Sequence, residues 1–300
     1  MLLSVIVTIV DGGAALERCL DGLARQQHAP PLEVIVPWDD TVPGIDALRT
    51  RYPAFHFLAL HQRQTARPAH SHAGQHELFD RRRAAGLGAA TGEIVAILED
   101  RGVPRADWAR TLHDLHGRLP HAAIGGAIEN GRTSIRHWAV YFCDFGRFGL
   151  PFEPGPRAWV SDINIAYKRR ALEQTAHLWK ERYHETTVNW ALAREGEVLF
   201  LSPEPVVDQL REPLAFGGML RERIAWGRLF AATRAEEAPL VRRLALVLGT
   251  PLLPLVLLAR HARLQLPRRP GTFLASAPLL VVLLIAWSAG EALGYITADA

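Results

Sequence analysis

The stretch Leu3-Ser-Val-Ile-Val-Thr-Ile-Val-Asp11 opens the chain with a run of β-branched residues that ends at an acid. Strands covered on both faces of a parallel sheet have such continuous Val and Ile runs, so residues 2–10 are predicted to form a buried first strand. A signal peptide is disfavoured, because no basic residue precedes the run and Asp11-Gly12-Gly13 ends it without a small-residue cleavage site.

Strand-like and helical patterns alternate downstream of this first strand. Further strands are predicted at residues 32–36, 56–60, 93–98 and 122–128, and helices at residues 16–27, 77–90 and 105–119. Strands that alternate with helices predict an α/β fold, with a mostly parallel sheet flanked by helices.

The composition excludes several classes of protein. With 49% hydrophobic and 22% charged residues, the 300-residue chain is neither disordered nor a pure membrane bundle. Its 34 basic and 31 acidic residues give a net charge of +3, which does not indicate a nucleic-acid-binding protein. Cys19 and Cys143 exclude a disulfide scaffold and form no CxxC motif. His70, His72 and His76 lack a metal-ligand spacing and are assigned to a polar loop.

Apolar residues concentrate after residue 240. Residues 273–290 carry no charge, and the apolar segment continues to residue 296. Its 24 residues would form a helix of about 36 Å, which exceeds a hydrocarbon core of about 30 Å. We therefore predict a soluble domain over residues 1–235 and a membrane-associated region over 236–300, with a transmembrane helix at 273–296. The alternative is a helical hairpin buried in the soluble domain.

A second uncharged segment, residues 244–259, is shorter and is interrupted by Pro251 and Pro254. As a helix it would reach about 24 Å. Arginines flank it on both sides, at Arg242, Arg243, Arg260, Arg263, Arg268 and Arg269. The positive-inside tendency places both of its ends in the cytoplasm, so the segment is predicted to be interfacial or re-entrant. The predicted location is the cell inner membrane, with the soluble domain in the cytoplasm.

Acids follow three of the predicted strands, in Asp11-Gly12-Gly13, Trp38-Asp39-Asp40 and Glu99-Asp100. Ligands of such sheets bind beyond the carboxyl ends of the strands. Clusters rich in oxygen ligands suit Mg²⁺ or Mn²⁺, and Asp39 and Asp40 would alternatively accept hydrogen bonds from a base or ribose. A single acid pair of this type more often caps a turn, but three equivalent positions favour a site. The chain has no GxGxxG after the first strand and no P-loop motif.

A series of short motifs in a fixed order resembles the family 2 glycosyltransferases, in their membrane-attached bacterial-type branch. The motifs are the opening strand with Asp11, Gln26-Gln27, Leu32-Glu-Val-Ile-Val36 with Asp39, Arg83-Ala-Ala-Gly86, Ala90-Thr-Gly92-Glu93-Ile94, Leu98-Glu99-Asp100, Pro104 and Trp108. Later motifs are Asn164-Ile-Ala-Tyr167-Lys-Arg169, Glu185 to Gly196, and Arg221-x-Arg223 to Gly227-Arg228. The resemblance covers most of residues 1–235.

The resemblance implies a GT-A fold, Rossmann-like, that transfers a sugar from a nucleoside diphosphate sugar to an acceptor. It assigns donor binding to Asp11, Asp39, Arg83 and Asp100. A guanidinium pairs well with phosphate oxygens, which agrees with a place for Arg83 near the ribose and diphosphate. Removal of Asp39 is expected to weaken nucleotide binding without unfolding the domain.

The metal motif departs from the family pattern. The family has Asp-x-Asp, whereas this chain has Glu99-Asp100-Arg101. Glu99 matches the first position and is the candidate ligand for Mg²⁺ or Mn²⁺, but Arg101 replaces the second acid. A cation does not ligate a cation, so metal dependence stays open. Arg101 is either a solvated loop residue or a group that neutralises the leaving diphosphate.

The candidate catalytic base is Glu185. Inverting transfer requires a carboxylate that takes the proton of the acceptor hydroxyl, and the resemblance places this base just before a helix. His184 is an alternative base, and Glu185 is alternatively an ordinary first-turn acid that the helix dipole favours. The resemblance places Asp162 and Asn164 on the acceptor side.

The sequence therefore predicts an enzyme that transfers a sugar to a lipid-linked or glycan acceptor at the cytoplasmic membrane face. The expected partners are a nucleoside diphosphate sugar, the acceptor and the membrane, without nucleic acid. Two alternatives remain open: a nucleotidyltransferase-like enzyme, and a non-catalytic membrane scaffold with a degenerate site.

Overall fold

The structure is a computed structural model that describes residues 1–60, 65–66, 68–69, 71–212, 215–235 and 238–297, with only the backbone of His72 and Ala73. The chain forms two compact units. We call Met1–Gly131 with Leu150–Arg211 the sheet unit, and Arg132–Gly149 with Glu212–Ala300 the helical unit. His70 of the predicted polar loop lies outside the described residues, whereas His72 begins a helix.

Nine strands of the described residues form one sheet in the sheet unit. In chain order they are β1 (Leu3–Thr8), β2 (Leu32–Trp38), β3 (His56–Ala59), β4 (Ile94–Glu99), β5 (Gly102–Pro104), β6 (Ala123–Asn130), β7 (Gly155–Pro156), β8 (Asn164–Lys168) and β9 (Leu199–Gln209). The order across the sheet is β3-β2-β1-β4-β8-β6-β9-β5, and β7 also pairs with β9. The predicted α/β class is confirmed. Parallel pairing holds for β3-β2-β1-β4 and for β6 with β9, whereas β8, β5 and β7 run antiparallel to their neighbours.

The helices flank this sheet or form the helical unit. In chain order they are α1 (Gly13–Ala24), α2 (Ile45–Arg51), α3 (His72–Ala89), α4 (Trp108–Arg118), α5 (Ile135–Asp144), α6 (Arg169–Gln174), α7 (Ala176–Trp179), α8 (Glu185–Arg194), α9 (Phe216–Ala235), α10 (Leu240–Gly249), α11 (Leu253–Gln265) and α12 (Pro270–Thr297). Each strand and helix predicted above is present, with shifted ends. Helix α3 begins five residues before the predicted start at residue 77, because the Ser71 side chain accepts a hydrogen bond from the Gly74 N–H at 3.1 Å and caps it.

Strand β1 lies at the centre of the core of the sheet unit. All six of its residues are buried between β2 and β4, which explains its uninterrupted apolar sequence. Helix α3 lies very close to it, since a Cβ on Gly86 would be 2.5 Å from Ile6 Cγ2. This close approach carries Arg82 and Arg83 to the carboxyl ends of the strands, where the predicted site lies.

The helical unit is held together by a glycine contact between α9 and α12. A Cβ at Gly227 would lie 2.2 Å from the backbone oxygen of Trp287, and one at Gly290 would lie 2.2 Å from that of Ile224. Backbone atoms cannot move aside as the end of a flexible side chain can. The two helices therefore pack backbone against backbone, and glycine is required at these positions.

Gly227→Ala is expected to destabilise the helical unit by about 1–3 kcal/mol, the usual cost of overpacking. Denaturant unfolding of the full chain measures the change. Gly217→Ala on the same helix is the matched control, because a Cβ there would meet no atom within 4 Å. Alanine is the better helix former, so the control is expected to be neutral or slightly stabilising. Equal destabilisation in both variants would contradict the packing argument.

Two helical stretches are long and apolar enough, by length and composition alone, to cross a membrane: Leu240–Gln265 with 26 residues and Pro270–Thr297 with 28. The first joins α10 and α11 through a 3₁₀ turn at Thr250–Leu252. It is longer than the predicted segment 244–259, because the flanking arginines from Arg242 to Arg263 are helical too. Its interfacial or re-entrant placement stays a prediction, as does the membrane orientation.

The boundary between the compact units differs from the predicted domain boundary. Helices α5 and α9 pack with α12 in the helical unit, although both precede residue 236. Arg223 on α9 is buried there and pairs with Asp144 on α5. The division of the chain into a catalytic region, residues 1–235, and a membrane-associated region, residues 236–300, stays a prediction.

Candidate active site

The carboxyl ends of β1, β2 and β4 meet at one edge of the sheet. The three strands are parallel neighbours, and Thr8 pairs with Glu99 in register. Asp11, Asp39 and Asp100 follow these ends, so the structure brings together the acids that the sequence predicted to be close.

Asp100 holds the loop between β1 and α1. Its carboxylate accepts hydrogen bonds from the backbone N–H of Asp11 at 3.1 Å and of Gly12 at 2.7 Å. Burial raises the pKa of Asp100 to about 6, with the Asp11 charge acting in the same direction and the Gly12 hydrogen bond opposing it. Gly12 has a φ of 68°, a left-handed conformation that favours glycine. Asp100, predicted to bind the donor, thus supports the loop that carries Asp11.

Asp11 forms a bidentate ion pair with Arg101. Arg101 Nε donates to Asp11 Oδ2 at 2.8 Å, and Nη2 donates to Oδ1 at 2.5 Å. Burial acts to raise the pKa of Asp11, but the Arg101 hydrogen bond and charge, aided by Arg211 and Arg18, hold it below its usual range. With a side chain only 20% exposed, Arg101 is not a solvated loop residue.

Asp39 is paired with Arg82, a residue that the sequence analysis did not select. Arg82 Nε and Nη2 donate to the two carboxylate oxygens of Asp39 at 2.8 and 2.9 Å, and Nη1 donates to the Ile9 carbonyl at 2.7 Å. Both side chains are buried. Burial acts to raise the pKa of Asp39, but hydrogen bonds from Arg82 and Thr41 leave it lowered. In the run from Arg81 to Arg83, no sequence signal shows which arginine faces Asp39.

Arg83 lies in an acidic cluster formed by Asp80, Glu99 and Asp162. Its Nη2 is 2.9 Å from Glu99 Oε1 and 2.9 Å from Asp162 Oδ2, and its Nη1 is 3.3 Å from Asp80 Oδ1. Burial raises the pKa of both Asp80 and Glu99 to about 7, against the opposing Arg83 charge and with a further contribution from Asp162. The guanidinium thus links the predicted donor side, at β4, to the predicted acceptor side, before β8.

Glu185 is the first residue of α8 and lies against Asp162. The Asp162 carboxyl and its backbone N–H are both close enough to the Glu185 carboxyl to change its pKa. Burial raises the pKa of Glu185 well above its usual value, and the neighbouring Asp162 charge adds to this effect. Glu185 Oε1 is buried without a hydrogen-bond partner in the described part of the chain. Glu185 therefore has a buried carboxyl with a raised pKa and one oxygen that is not engaged by the described residues.

A buried polar network positions the start of α8. The Tyr167 and Tyr183 hydroxyls are 2.7 Å apart, and Tyr167 donates to Asn189 Oδ1 at 2.9 Å. The Asn189 amide donates to the Val160 carbonyl at 3.2 Å, and the Tyr183 N–H donates to the Asp80 carbonyl at 3.0 Å. These hydrogen bonds connect the segment around Glu185 to β8 and to α3. The position of the candidate base is therefore fixed by a buried network.

Asn164 lies in the interior, although the resemblance placed it on the acceptor side. Its side chain accepts from Trp108 Nε1 at 2.8 Å and donates to the carbonyls of Ala127 at 2.8 Å and Pro205 at 2.9 Å. Only 1% of the residue is exposed. In this structure Asn164 joins β8 to β6, β9 and α4, and Asp162 is the residue of this segment that reaches the cluster.

The residues at the metal motif do not fit a divalent cation. Glu99 is engaged by Arg83, Asp100 by backbone N–H groups, and Arg101 is itself a cation paired with Asp11. Among the residues that the structure describes, no group of three or more His, Cys, Asp or Glu side chains is placed to hold a metal ion. Glu99 as a ligand of Mg²⁺ or Mn²⁺ stays a prediction from the family pattern.

This sheet order, with the acidic strand ends at one edge, defines a GT-A fold. The chain is similar to the mannosyltransferase PcManGT from Pyrobaculum calidifontis, solved in complex with GDP-Man and Mn²⁺, with a TM-score of 0.53 and 18% identity over 97% of this chain and 86% of that chain. A second solved structure, S. aureus TarS 1–349, has a TM-score of 0.49 and 13% identity over 80% of this chain and 66% of that chain. No protein-family model and no curated protein matches the sequence. The predicted GT-A resemblance is thereby confirmed at the level of the fold.

Proposed function

We propose that this protein is an inverting glycosyltransferase that moves a sugar from a nucleoside diphosphate sugar to a lipid-linked or glycan acceptor at the cytoplasmic face of the inner membrane. The observation that carries the proposal is the Glu185–Asp162 carboxyl pair, which Arg83 connects to Glu99 at the end of β4. The family resemblance assigns nucleotide binding to these strand ends, and the similar mannosyltransferase, solved with GDP-Man, supports a nucleotide-sugar donor.

In the proposed reaction, Glu185 removes the proton from the acceptor hydroxyl. The hydroxyl oxygen forms a bond to the anomeric carbon from the face opposite the diphosphate, and the bond from that carbon to the diphosphate oxygen breaks. The electron pair of the broken bond leaves with the nucleoside diphosphate, and the proton stays on Glu185. The raised pKa of Glu185 makes its carboxylate a stronger base than an ordinary carboxylate.

On the donor side, Asp11 and Asp39 are proposed to face the base and ribose. Each is held by an arginine, Arg101 or Arg82, so the acids are fixed before the nucleotide arrives. Mg²⁺ or Mn²⁺ is supported by the family resemblance and by the Mn²⁺ of the mannosyltransferase complex. Because this chain's described residues do not form a site for the ion, no step above depends on it.

Membrane attachment is supported by the apolar helices of the helical unit. Val241 and Leu248 on α10 are 80% and 81% exposed, and Leu255 and Val256 on α11 are exposed as well. A contiguous exposed apolar face of this kind requires cover, and lipid is the cover that we propose. A lipid-linked acceptor would then share the membrane to which the protein is attached.

The proposal is tested by incubating the full chain, in lipid vesicles with polyprenyl phosphate and polyprenyl diphosphate-sugar acceptors, with UDP-, GDP- and dTDP-sugars. Release of a nucleoside diphosphate together with a glycosylated product is expected. Consumption of nucleoside triphosphate with release of pyrophosphate would favour a nucleotidyltransferase-like enzyme. Absence of both reactions, and of nucleotide binding, would favour a non-catalytic scaffold.

Asp162→Asn is expected to move the acidic limb of the kcat/KM profile to lower pH. Burial and the Asp162 charge keep Glu185 protonated above the usual carboxyl range, so activity rises with pH as that proton leaves. Asparagine removes the charge, so the pKa of Glu185 falls. Values of kcat/KM measured across about pH 5–9 give the midpoint of this acidic limb. Asp114→Asn, at an exposed position on α4, is the control; an unshifted limb in Asp162→Asn would contradict the coupling.

A further inference from the structure

We infer that the guanidinium of Arg101 supplies the positive charge that stabilises the leaving diphosphate, in place of a divalent cation. This inference rests on the proposed function and specifies how its donor site works. It starts from the disagreement described above: the strand end at which the family holds a metal carries a paired arginine here, and its two neighbouring acids have other partners.

The position of Arg101 places it at the predicted diphosphate. Arg101 is the second residue after β4, at the same sheet edge as Asp11 and Asp39. The Arg101 carbonyl also accepts a hydrogen bond from the Leu210 N–H at 2.7 Å, where the end of β9 meets the chain before β5. The side chain and the backbone of Arg101 are therefore both fixed, by elements on either side of it.

Arg101 is one of three arginines close to Asp11. Arg101, Arg211 and Arg18 are all near enough to Asp11 to lower the pKa of its carboxyl. Arg211 reaches this region because Leu210 pairs with Arg101 at the end of β9. The carboxyl groups of Glu99 and Asp100 also act on Arg101, but Glu99 is paired with Arg83 and Asp100 accepts hydrogen bonds from backbone N–H groups. Asp11 is therefore the one acid paired with Arg101 in the described residues, and the guanidinium is the cation of this strand end that can meet a diphosphate.

The geometry of the ion pair suits the chemistry of the leaving group. Asp11 engages Nε and Nη2 of Arg101, while Nη1 makes no hydrogen bond to another described residue. When the bond from the anomeric carbon to the diphosphate oxygen breaks, its electron pair passes to that oxygen, and the diphosphate gains negative charge. A guanidinium fixed beforehand stabilises this charge through charge-assisted hydrogen bonds without reorganisation. The step needs no further reactant.

The test is calorimetric binding of UDP, GDP and dTDP to the full chain, in EDTA and in Mn²⁺. The wild-type protein is expected to bind the preferred nucleoside diphosphate equally well in both. Arg101→Gln is expected to weaken that binding by about 10- to 100-fold, the loss of one or two charge-assisted hydrogen bonds, with a smaller effect on the parent nucleoside. Arg101→Lys retains the charge and is expected to keep binding in EDTA.

Arg105→Gln is the matched control, because Arg105 forms a similar bidentate pair with Asp208 at an exposed position. It is expected to bind like the wild type. Arg101→Asp restores the family's acid and is expected to make diphosphate binding depend on Mn²⁺. Thermal unfolding of each variant verifies that it is folded.

Three results would overturn the inference. If wild-type binding is lost in EDTA and returns with Mn²⁺, or if folded Arg101→Gln binds the diphosphate as the wild type does, the inference is wrong while the proposed function stands. If no nucleoside diphosphate binds under any condition, the proposed function is wrong and the inference with it.

Discussion

Glu185→Gln is expected to reduce turnover by about 10²- to 10⁴-fold, the usual contribution of a positioned general base. An acceptor hydroxyl is a poor nucleophile at neutral pH, and glutamine retains the size and most of the hydrogen bonding of glutamate without its basicity. The Kd of the donor is expected to stay unchanged, because Glu185 lies on the Asp162 side of the cluster, away from the ends of β1 and β2. Steady-state rates and donor titrations measure the two effects separately.

Glu181→Gln is the control for this variant, since Glu181 is exposed in the loop before α8. Near-normal turnover in Glu185→Gln would mean that His184 or Asp162 is the base. A matching loss of donor affinity would instead assign Glu185 a structural role, as the first-turn acid of α8.

Asp39→Ala is expected to lower the free energy of unfolding by about 3–5 kcal/mol, because Arg82 would be left buried without its partner. The sequence-based expectation for this variant, weaker nucleotide binding without unfolding of the domain, stays a prediction, and the buried ion pair adds an expected loss of stability to it. Arg82 is 2% exposed, and it donates to the Ile9 carbonyl and the Thr41 hydroxyl as well as to Asp39, which is its one carboxylate partner among the described residues. Urea unfolding of the variant and the wild type measures the difference.

The double variant Asp39→Leu/Arg82→Met is expected to regain most of that stability, because replacing a buried ion pair by apolar side chains removes the unpaired charge. Asp40→Ala is the control, since Asp40 is exposed beside Asp39. If the double variant is as unstable as Asp39→Ala, the loss of stability comes from the loop after β2 and not from the unpaired guanidinium of Arg82.

The strands and helices around β1 were predictable because their buried positions show as a local pattern of apolar residues in the sequence. Strand β1 is apolar throughout since both faces are covered, and α4 shows helical spacing at Trp108, Leu112 and Leu115, which are all buried. The antiparallel placement of β8 has no such local signal. Its neighbours β4 and β6 are distant in sequence, so the topology of the second half of the sheet depends on tertiary contacts.

The site was predictable where it depends on strand ends, and not where it depends on contacts between helices. The meeting of Asp11, Asp39 and Asp100 follows from parallel neighbours. The contact between Asp162 and Glu185 does not, because α6 and α7 separate them in the chain. Asp80, Tyr167, Tyr183 and Asn189 read as ordinary helix or core residues, and only the fold shows that they support the base candidate.

The predicted domain boundary follows hydropathy, which marks apolar segments and not the helices that pack against them. Helix α9 has mixed composition and precedes the apolar segments, yet its glycines bring it against α12. A boundary drawn from composition therefore separates two helices that share one interior.

The contact at Gly86 has a consequence for how this protein tolerates mutation. Helix α3 carries Arg82, which holds Asp39, and Arg83, which holds Glu99 and Asp162, and it rests on Ile6 with no room for a methyl group. A bulkier residue at Gly86 would lift the helix and displace both guanidinium groups at once. The proposed nucleotide side and acceptor side of the site therefore both depend on the position of α3. Variants that displace this helix are expected to impair donor binding and acceptor binding together.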